Sequence, residues 1–310
     1  MAEHRLDATV ETVHWGYFDA KLAPRLEIES GDTVVIDTVS GWPEVAPDKA
    51  LYRAEHYRIA TTLKPAMGSH ILTGPIAVRG AHPGDTLEVR IKAIELTEDW
   101  AWNAIRPLRG ALPEDFGDFQ PRVIPLDRSA MTATLPWGPT LPLQPFFGVL
   151  ATAPRAEYGR ISTVEPREFG GNMDCKELRI GTSVYLPIFV EGANFSAGDG
   201  HALQGDGEVC LSALETGLRG TFELVVHAGV ALASPRAITP THLITLGFDL
   251  DLDDAAKQAL RAMIAWLVEL KGWTHPEAYI FCSLACDLRV TQLVDGNKGI
   301  HAMVERSLIA

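Results

Sequence analysis

Glycine and proline interrupt this chain so often that long regular elements are excluded from most of it. The 310 residues include 27 Gly and 20 Pro, and the apolar runs between them are short. Short runs bounded by turn formers are the rhythm of a β-rich protein. One unit occurs twice. Ser30-Gly31-Asp32-Thr33-Val34-Val35-Ile36-Asp37 and Pro83-Gly84-Asp85-Thr86-Leu87-Glu88-Val89-Arg90 each set Gly-Asp in a turn before a β-branched strand. Glycine reaches the backbone angles of such a turn, and aspartate can bond its own turn backbone. The two are expected to be equivalent strand entries in one sheet system. Residues 97–145, with Trp100, Trp102, Trp137 and a series of prolines from Pro107 to Pro142, read as loop-rich, either a sheet edge or a cover over a substrate.

The last third changes character. Asp251 to Asp254 opens a helix whose apolar positions Ala256, Ala259, Leu260, Met263, Ile264, Leu267 and Val268 repeat every 3.6 residues, and Lys271-Gly272 stops it. Thr274-His275-Pro276-Glu277 is a capping box for a second helix through about Ala285, and Leu288 to Leu293 alternates as a strand. The expected organisation is an N-terminal β-rich domain over 1–145, a central β portion over 146–225 and a C-terminal α+β portion over 226–310.

Charge narrows the partners. With 27 Lys+Arg against 40 Asp+Glu the net charge is −13, which repels nucleic-acid phosphates and anionic membrane surfaces alike. No apolar run approaches the ~20 residues that a bilayer span needs. Four cysteines are too few to staple a chain of this length, so free thiols and a cytoplasmic location are expected.

Unusual polar residues concentrate between Glu168 and Glu215. Gly170-Gly171-Asn172-Met173-Asp174 is followed by Gly198-Asp199-Gly200-His201 and by Gln204-Gly205-Asp206-Gly207-Glu208. If Gly205-Asp206 is a two-residue hairpin turn, Leu203 faces Glu208 and His201 lies diagonally from it, about 7–8 Å away, within reach of one shared ion. Asp174 on the preceding glycine-rich turn closes the set. His/Asp/Glu ligation suits zinc or a similar divalent ion, and three protein ligands with one open position is the catalytic pattern. The plainer alternative is that these carboxylates cap turns and His201 bonds a carbonyl. His70, before Thr73-Gly74-Pro75, is a candidate ligand or proton shuttle, and Asp37, at a strand end, a candidate base or ligand. Cys175 beside Lys176 is the one nucleophile worth keeping, because a lysine can lower a thiol pKa.

These motifs resemble the signature of the acetamidase/formamidase family. Supporting matches are His70 to Pro75 with Gly80 and Pro83-Gly84-Asp85, Gly247-Phe248-Asp249, and Asp287 to Gln292, so the resemblance runs over residues 10–305 in order. It implies a β-sandwich or barrel body followed by a small α+β portion, hydrolysis of a short linear amide to a carboxylate and ammonia, a metal-dependent site and a homo-oligomer. Glu168-Phe169 and Asn194 depart from the usual pattern and are candidates to line the site. In this reading a divalent ion, zinc before calcium, is held chiefly by Asp174, His201 and Glu208. It activates water, while Asn172 stabilises the oxyanion and Asp37 or His70 moves the proton. The rivals are a metal-free amidase using Cys175, and a non-catalytic β-sandwich module that binds calcium structurally.

Overall fold

A computed structural model describes residues 1–309. Two large sheets, of nine and eleven strands, pack against each other, and a small α+β region closes the C-terminal end. The fold is mainly β. Its core follows from alternation: along the Leu218–His227 strand, Leu218, Gly220, Phe222 and Leu224 are buried while Arg219, Thr221 and Glu223 are not. Phe222 of the nine-stranded sheet meets Phe147 and Phe195 of the other, with ring centroids 5.3 and 5.9 Å apart. Each fully buried side chain of this kind contributes about 1.5–3 kcal/mol.

The two Gly-Asp units do enter one sheet. The Asp32–Asp37 and Thr86–Leu96 strands flank the Leu218–His227 strand, each antiparallel to it. Their turns share a bond as well: Asp32 accepts from the Glu29 amide and Asp85 from the His82 amide, the same offset of three residues. The expected boundaries after 145 and 225 cut across both sheets, since each sheet takes strands from more than one of the three portions. Residues 97–145 extend the eleven-stranded sheet to its edge through the strands Trp100–Ile105, Gln120–Asp127, Thr132–Thr134 and Thr140–Pro142.

Three α-helices occur among the described residues: α1 (Ala54–Thr62), α2 (Leu252–Lys271) and α3 (His275–Ala285). In α2, Asp251 accepts from the amides of Asp253 and Asp254, and Gly272 ends the helix in the left-handed conformation. The buried face is turned slightly from the expected stripe, with Ala255 and Trp266 fully in and Ala256, Leu260 and Ile264 only partly covered. The Thr274–Glu277 capping box starts α3. None of these helices is long and apolar enough to cross a membrane.

Candidate metal centre

The strand Phe195–Leu203 carries the heart of the site. Its neighbours approach so closely that only glycine fits beside the functional residues: a Cβ on Gly198 would strike Ile71 O, and one on Gly200 would strike Thr216 O. Between them Asp199 adopts φ +55°, and Asp174 and Glu208 also have positive φ, at +49° and +45°. A left-handed backbone costs a non-glycine residue on the order of 1–3 kcal/mol and is characteristic of functional positions. Three carboxylates of one cluster carry that strain.

The cluster is built from three parts of the chain. His201 Nε2 lies 3.2 Å from Asp199 Oδ2, 3.2 Å from Glu215 Oε1 and 4.0 Å from Asp174 Oδ1. Glu208 joins it, its carboxylate and the ligand atoms of Asp174 and His201 all lying within 4.8 Å of one another. Asp199, His201 and Glu215 form a second such triad on the same histidine. Asp295 completes the set from the C-terminal portion, and the turn bearing Glu208 is tied to that portion by bonds from Gly207 N to Thr291 O and Leu293 N to Gly207 O. Asp199, Glu208, Glu215 and Asp295 line a cavity of about 580 Å³, with Asp174 and His201 buried beneath them.

Electrostatically the cluster is dominated by carboxylates. Five buried carboxylates share it, and among the described residues no lysine or arginine comes within ion-pair distance of any of them. Burial, reinforced by Asp199, pushes Asp174 up to about 6, and burial, only partly offset by His201, pushes Glu215 up to about 7. Glu208 and Asp295 are held well above the usual carboxylate range by burial and then by Asp174. Asp199 goes the other way, because His70 and His201 outweigh its burial. His201 is raised well above its usual value, since Glu215 and Asp199 overcome a burial that would lower it. Carboxylates this crowded keep protons unless a metal cation takes their place.

The residues fit a divalent ion on three observations. Both carboxylate oxygens of Asp174 and the Nε2 of His201 are buried with no hydrogen-bond partner. The other ring nitrogen, Nδ1, is spent on Gln204 Oε1 at 2.9 Å, and Gln204 is itself fixed by donating to Asp174 O. That bond makes Nδ1 the protonated nitrogen and leaves Nε2 bare for a metal. Finally, Gly148 leaves open the space between Asp174 and Asp199 that a Cβ would occupy.

Several expectations are corrected. Glu208 is not on a hairpin strand. The chain loops out from Gln204 to Ala213, and the cross-strand partner of His201 is Glu215. The loop, rather than strand register, brings Glu208 in. Asp37 does not reach the cluster: Arg219 grips its carboxylate at 2.6 and 3.1 Å with Arg5 at 3.0 Å, and these cations hold its pKa down against burial. His70 does line the cavity, with Nδ1 on Thr163 Oγ1 and Nε2 4.0 Å from Asp199. Asn172 lines it too: its Nδ2 donates one hydrogen to Val164 O and keeps a second, and its Oδ1 is buried without a partner. Glu168, Phe169 and Asn194 lie off the cavity. Phe169 packs on Phe18, and Glu168 bonds Tyr158.

Cys175 is poorly placed to act as a nucleophile. It is fully buried, burial pushes its thiol up to about 12, and Lys176 is paired with Asp206 at 3.0 Å. Cys175→Ala is expected to keep ammonia release from amides within about threefold of the parent, with melting lowered by a small core cavity. A loss of a hundredfold or more would restore the thiol.

Asp199, Glu215 and Asp295 escaped the sequence reading. Asp199 had a signal, because residues i and i+2 of a strand share a face and it stands two before His201. Glu215 and Asp295 had none, since only tertiary pairing brings them in.

Two packed sheets with a buried carboxylate–histidine cluster beneath a cavity define a mainly β protein with a candidate metal site. The Acetamidase/Formamidase family model matches residues 7–161 and 156–304, and the chain belongs to that family. It is 29% identical over 252 residues to the formamidase of Methylophilus methylotrophus, spanning 61% of this chain and 61% of that protein, so it matches about three fifths of that relative's length. Among solved structures it is similar to a predicted acetamidase/formamidase from Thermoanaerobacter tengcongensis, with a TM-score of 0.87 and 25% identity over 100% of this chain and 98% of that one. It is likewise similar to the acetamidase of Bacillus halodurans, with a TM-score of 0.85 and 29% identity over 98% of each chain.

Proposed function

We propose that the chain is a metal-dependent amidohydrolase that cleaves a linear amide, formamide- or acetamide-like in its reacting end, to a carboxylate and ammonia. One observation carries the reading: five buried carboxylates and the bare Nε2 of His201 converge, without a lysine or arginine partner among the described residues, at and just beneath the floor of an accessible cavity. A purely structural ion needs no such access. One imidazole and several carboxylate oxygens suit zinc first and other divalent ions after it. A single imidazole nitrogen serves one ion at a time, so the Asp174–Glu208 and Asp199–Glu215 pairs compete for, or jointly hold, the ion on His201.

When bound, such an ion polarises a carbonyl and lowers the pKa of water from about 15.7 towards 7. The chain's own residues supply the rest. Asp174, Glu208 and His201 hold the charge, and Gln204 fixes the imidazole. Asn172 Oδ1 accepts an N–H of the substrate amide and so orients the leaving nitrogen. His70, on the cavity wall beside Asp199, passes a proton to that nitrogen, which leaves poorly unless protonated. Ammonia release from formamide, acetamide and longer amides, before and after chelation, tests the reading. Loss on chelation with recovery in zinc is expected, and no release from any amide would refute it.

A cytoplasmic homo-oligomer belongs to the same proposal. The four cysteines are free, and α3 leaves Tyr279, Ile280 and Leu284 exposed beside the edge strand Cys286–Gln292. A second copy fits there, because antiparallel pairing of that edge about Leu288 sets Asp287 opposite the Arg289 of the other copy. Light scattering should give at least twice the chain mass of 33.7 kDa, and a monomer at all concentrations would contradict it.

A further inference from the structure

The cavity is far larger than its proposed reaction needs. At about 580 Å³ it falls among sites that enclose ligands of drug size, whereas formamide is a single carbon with its oxygen and nitrogen. Its upper wall is aromatic and continuous with the cluster. Ser40 Oγ reaches Glu215 Oε2 at 3.5 Å and receives the Trp102 indole N–H at 3.2 Å. Trp102 packs edge-on to Trp42 at 5.5 Å, and Trp42 meets Trp15 at 5.7 Å. The indole N–H groups of all three are already committed, to Ser40, Glu44 and Ser69, so what they offer a ligand is apolar ring surface.

That wall ends at a cation. The Arg106 guanidinium lies 5.7 Å from the Trp42 ring and 5.0 Å from the Phe119 ring, and it spends Nη1 on Glu44 at 3.2 Å. Its Nη2 is buried and has no partner. Arg109, exposed on the same cavity, has no carboxylate within ion-pair distance among the described residues. Two arginines against one glutamate leave positive charge on this part of the cavity wall, on a chain whose net charge is −13.

We infer that the substrate is a primary amide whose apolar or aromatic acyl part ends in a carboxylate, the amide lying at the His201 cluster and the carboxylate on Arg106 with Arg109 beside it. The inference rests on the amidase reading above and names its substrate class. The planar guanidinium fork matches a carboxylate, and Nη2 is the donor left for it. The reaction stays a hydrolysis: the C–N bond breaks, water supplies the new C–O bond, and its protons leave with the nitrogen as ammonium, giving a dicarboxylate.

Matched pairs test it: hexanamide against adipic acid monoamide, and 4-methylbenzamide against 4-carbamoylbenzoate, each assayed by ammonia release and by calorimetric binding to the metal-loaded enzyme. The carboxylated member of at least one pair is expected to have a kcat/KM at least tenfold higher. Arg106→Gln should shrink that ratio at least tenfold, and Arg106→Lys should retain part of it. Neutral members that match or beat their carboxylated partners would overturn the inference, as would a ratio unmoved in Arg106→Gln. If no amide is turned over, the amidase reading fails by itself. Tight, Arg106-dependent binding of the carboxylated members would then still uphold charge recognition, and equal binding of both members would overturn it.

Discussion

Gly148→Ala is expected to strip the chain of its divalent ion and of amide turnover without altering a single ligand. Gly148 sits in the Phe146–Ala151 strand, and its carbonyl accepts from the amides of Met173 and Asp174. An added Cβ would lie inside contact distance of Asp174 Oδ1 and Asp199 Oδ2, and 2.9 Å from His201 Cε1. The strand is pinned on both sides, by the Gly170–Asn172 and Phe195–Leu203 strands, so the carboxylates rather than the backbone must give way. Displacing reactive groups by on the order of 1 Å costs about a hundredfold in rate. Overpacking costs about 1–3 kcal/mol, which a domain stable by about 5–15 kcal/mol survives. Metal content measured on the folded variant should fall at least tenfold and ammonia release about a hundredfold. Full metal and full turnover would show that the space above Gly148 is not the site.

His201→Ala is expected to be as severe for a different reason. The imidazole is the one nitrogen donor common to both candidate triads, and Asp199 and Glu215 both lie 3.2 Å from it. Without it the carboxylates lose their nearest positive partner and the ion loses its nitrogen ligand. Removal of a supporting partner such as Gln204 costs about 10–100-fold in affinity or activity, and loss of the ligand itself should exceed that. Because alanine also empties the contact with Phe146, whose ring centroid lies 5.0 Å away, His201→Gln serves as the bulkier control. Both should hold less than about a tenth of the parent's metal, with turnover lowered more than about a hundredfold. Normal metal content and turnover in either would remove His201 from the centre.

Local chemistry carried much of this into the sequence. The Gly-Asp units disclosed two strands of one sheet because the turn needs both residues and leaves little else for them to do. The Asp251 cap, the Gly272 stop and the Thr274–Glu277 box disclosed α2 and α3 for the same reason. Asp174, His201 and Glu208 were visible through the glycines around them, which close packing demands. Their grouping was legible, but the hairpin reasoning behind it was not sound, since Glu208 arrives on a loop held by Thr291 and Leu293 some eighty residues downstream. Asp37 misled because a strand-end carboxylate looks alike whether it faces a substrate or Arg219. Glu215 and Asp295 were hidden altogether, because strand order and a C-terminal loop place them and no local pattern encodes either.

The central claim is that the buried carboxylate–histidine cluster is a cation site. X-ray absorption at the metal edge of the purified chain tests it most directly. The account predicts a divalent ion bound by one imidazole nitrogen and carboxylate or water oxygens, at about 2.0–2.2 Å if it is zinc. A shell containing sulfur, a shell with several imidazoles, or a chain that neither holds nor takes up a divalent ion would contradict it.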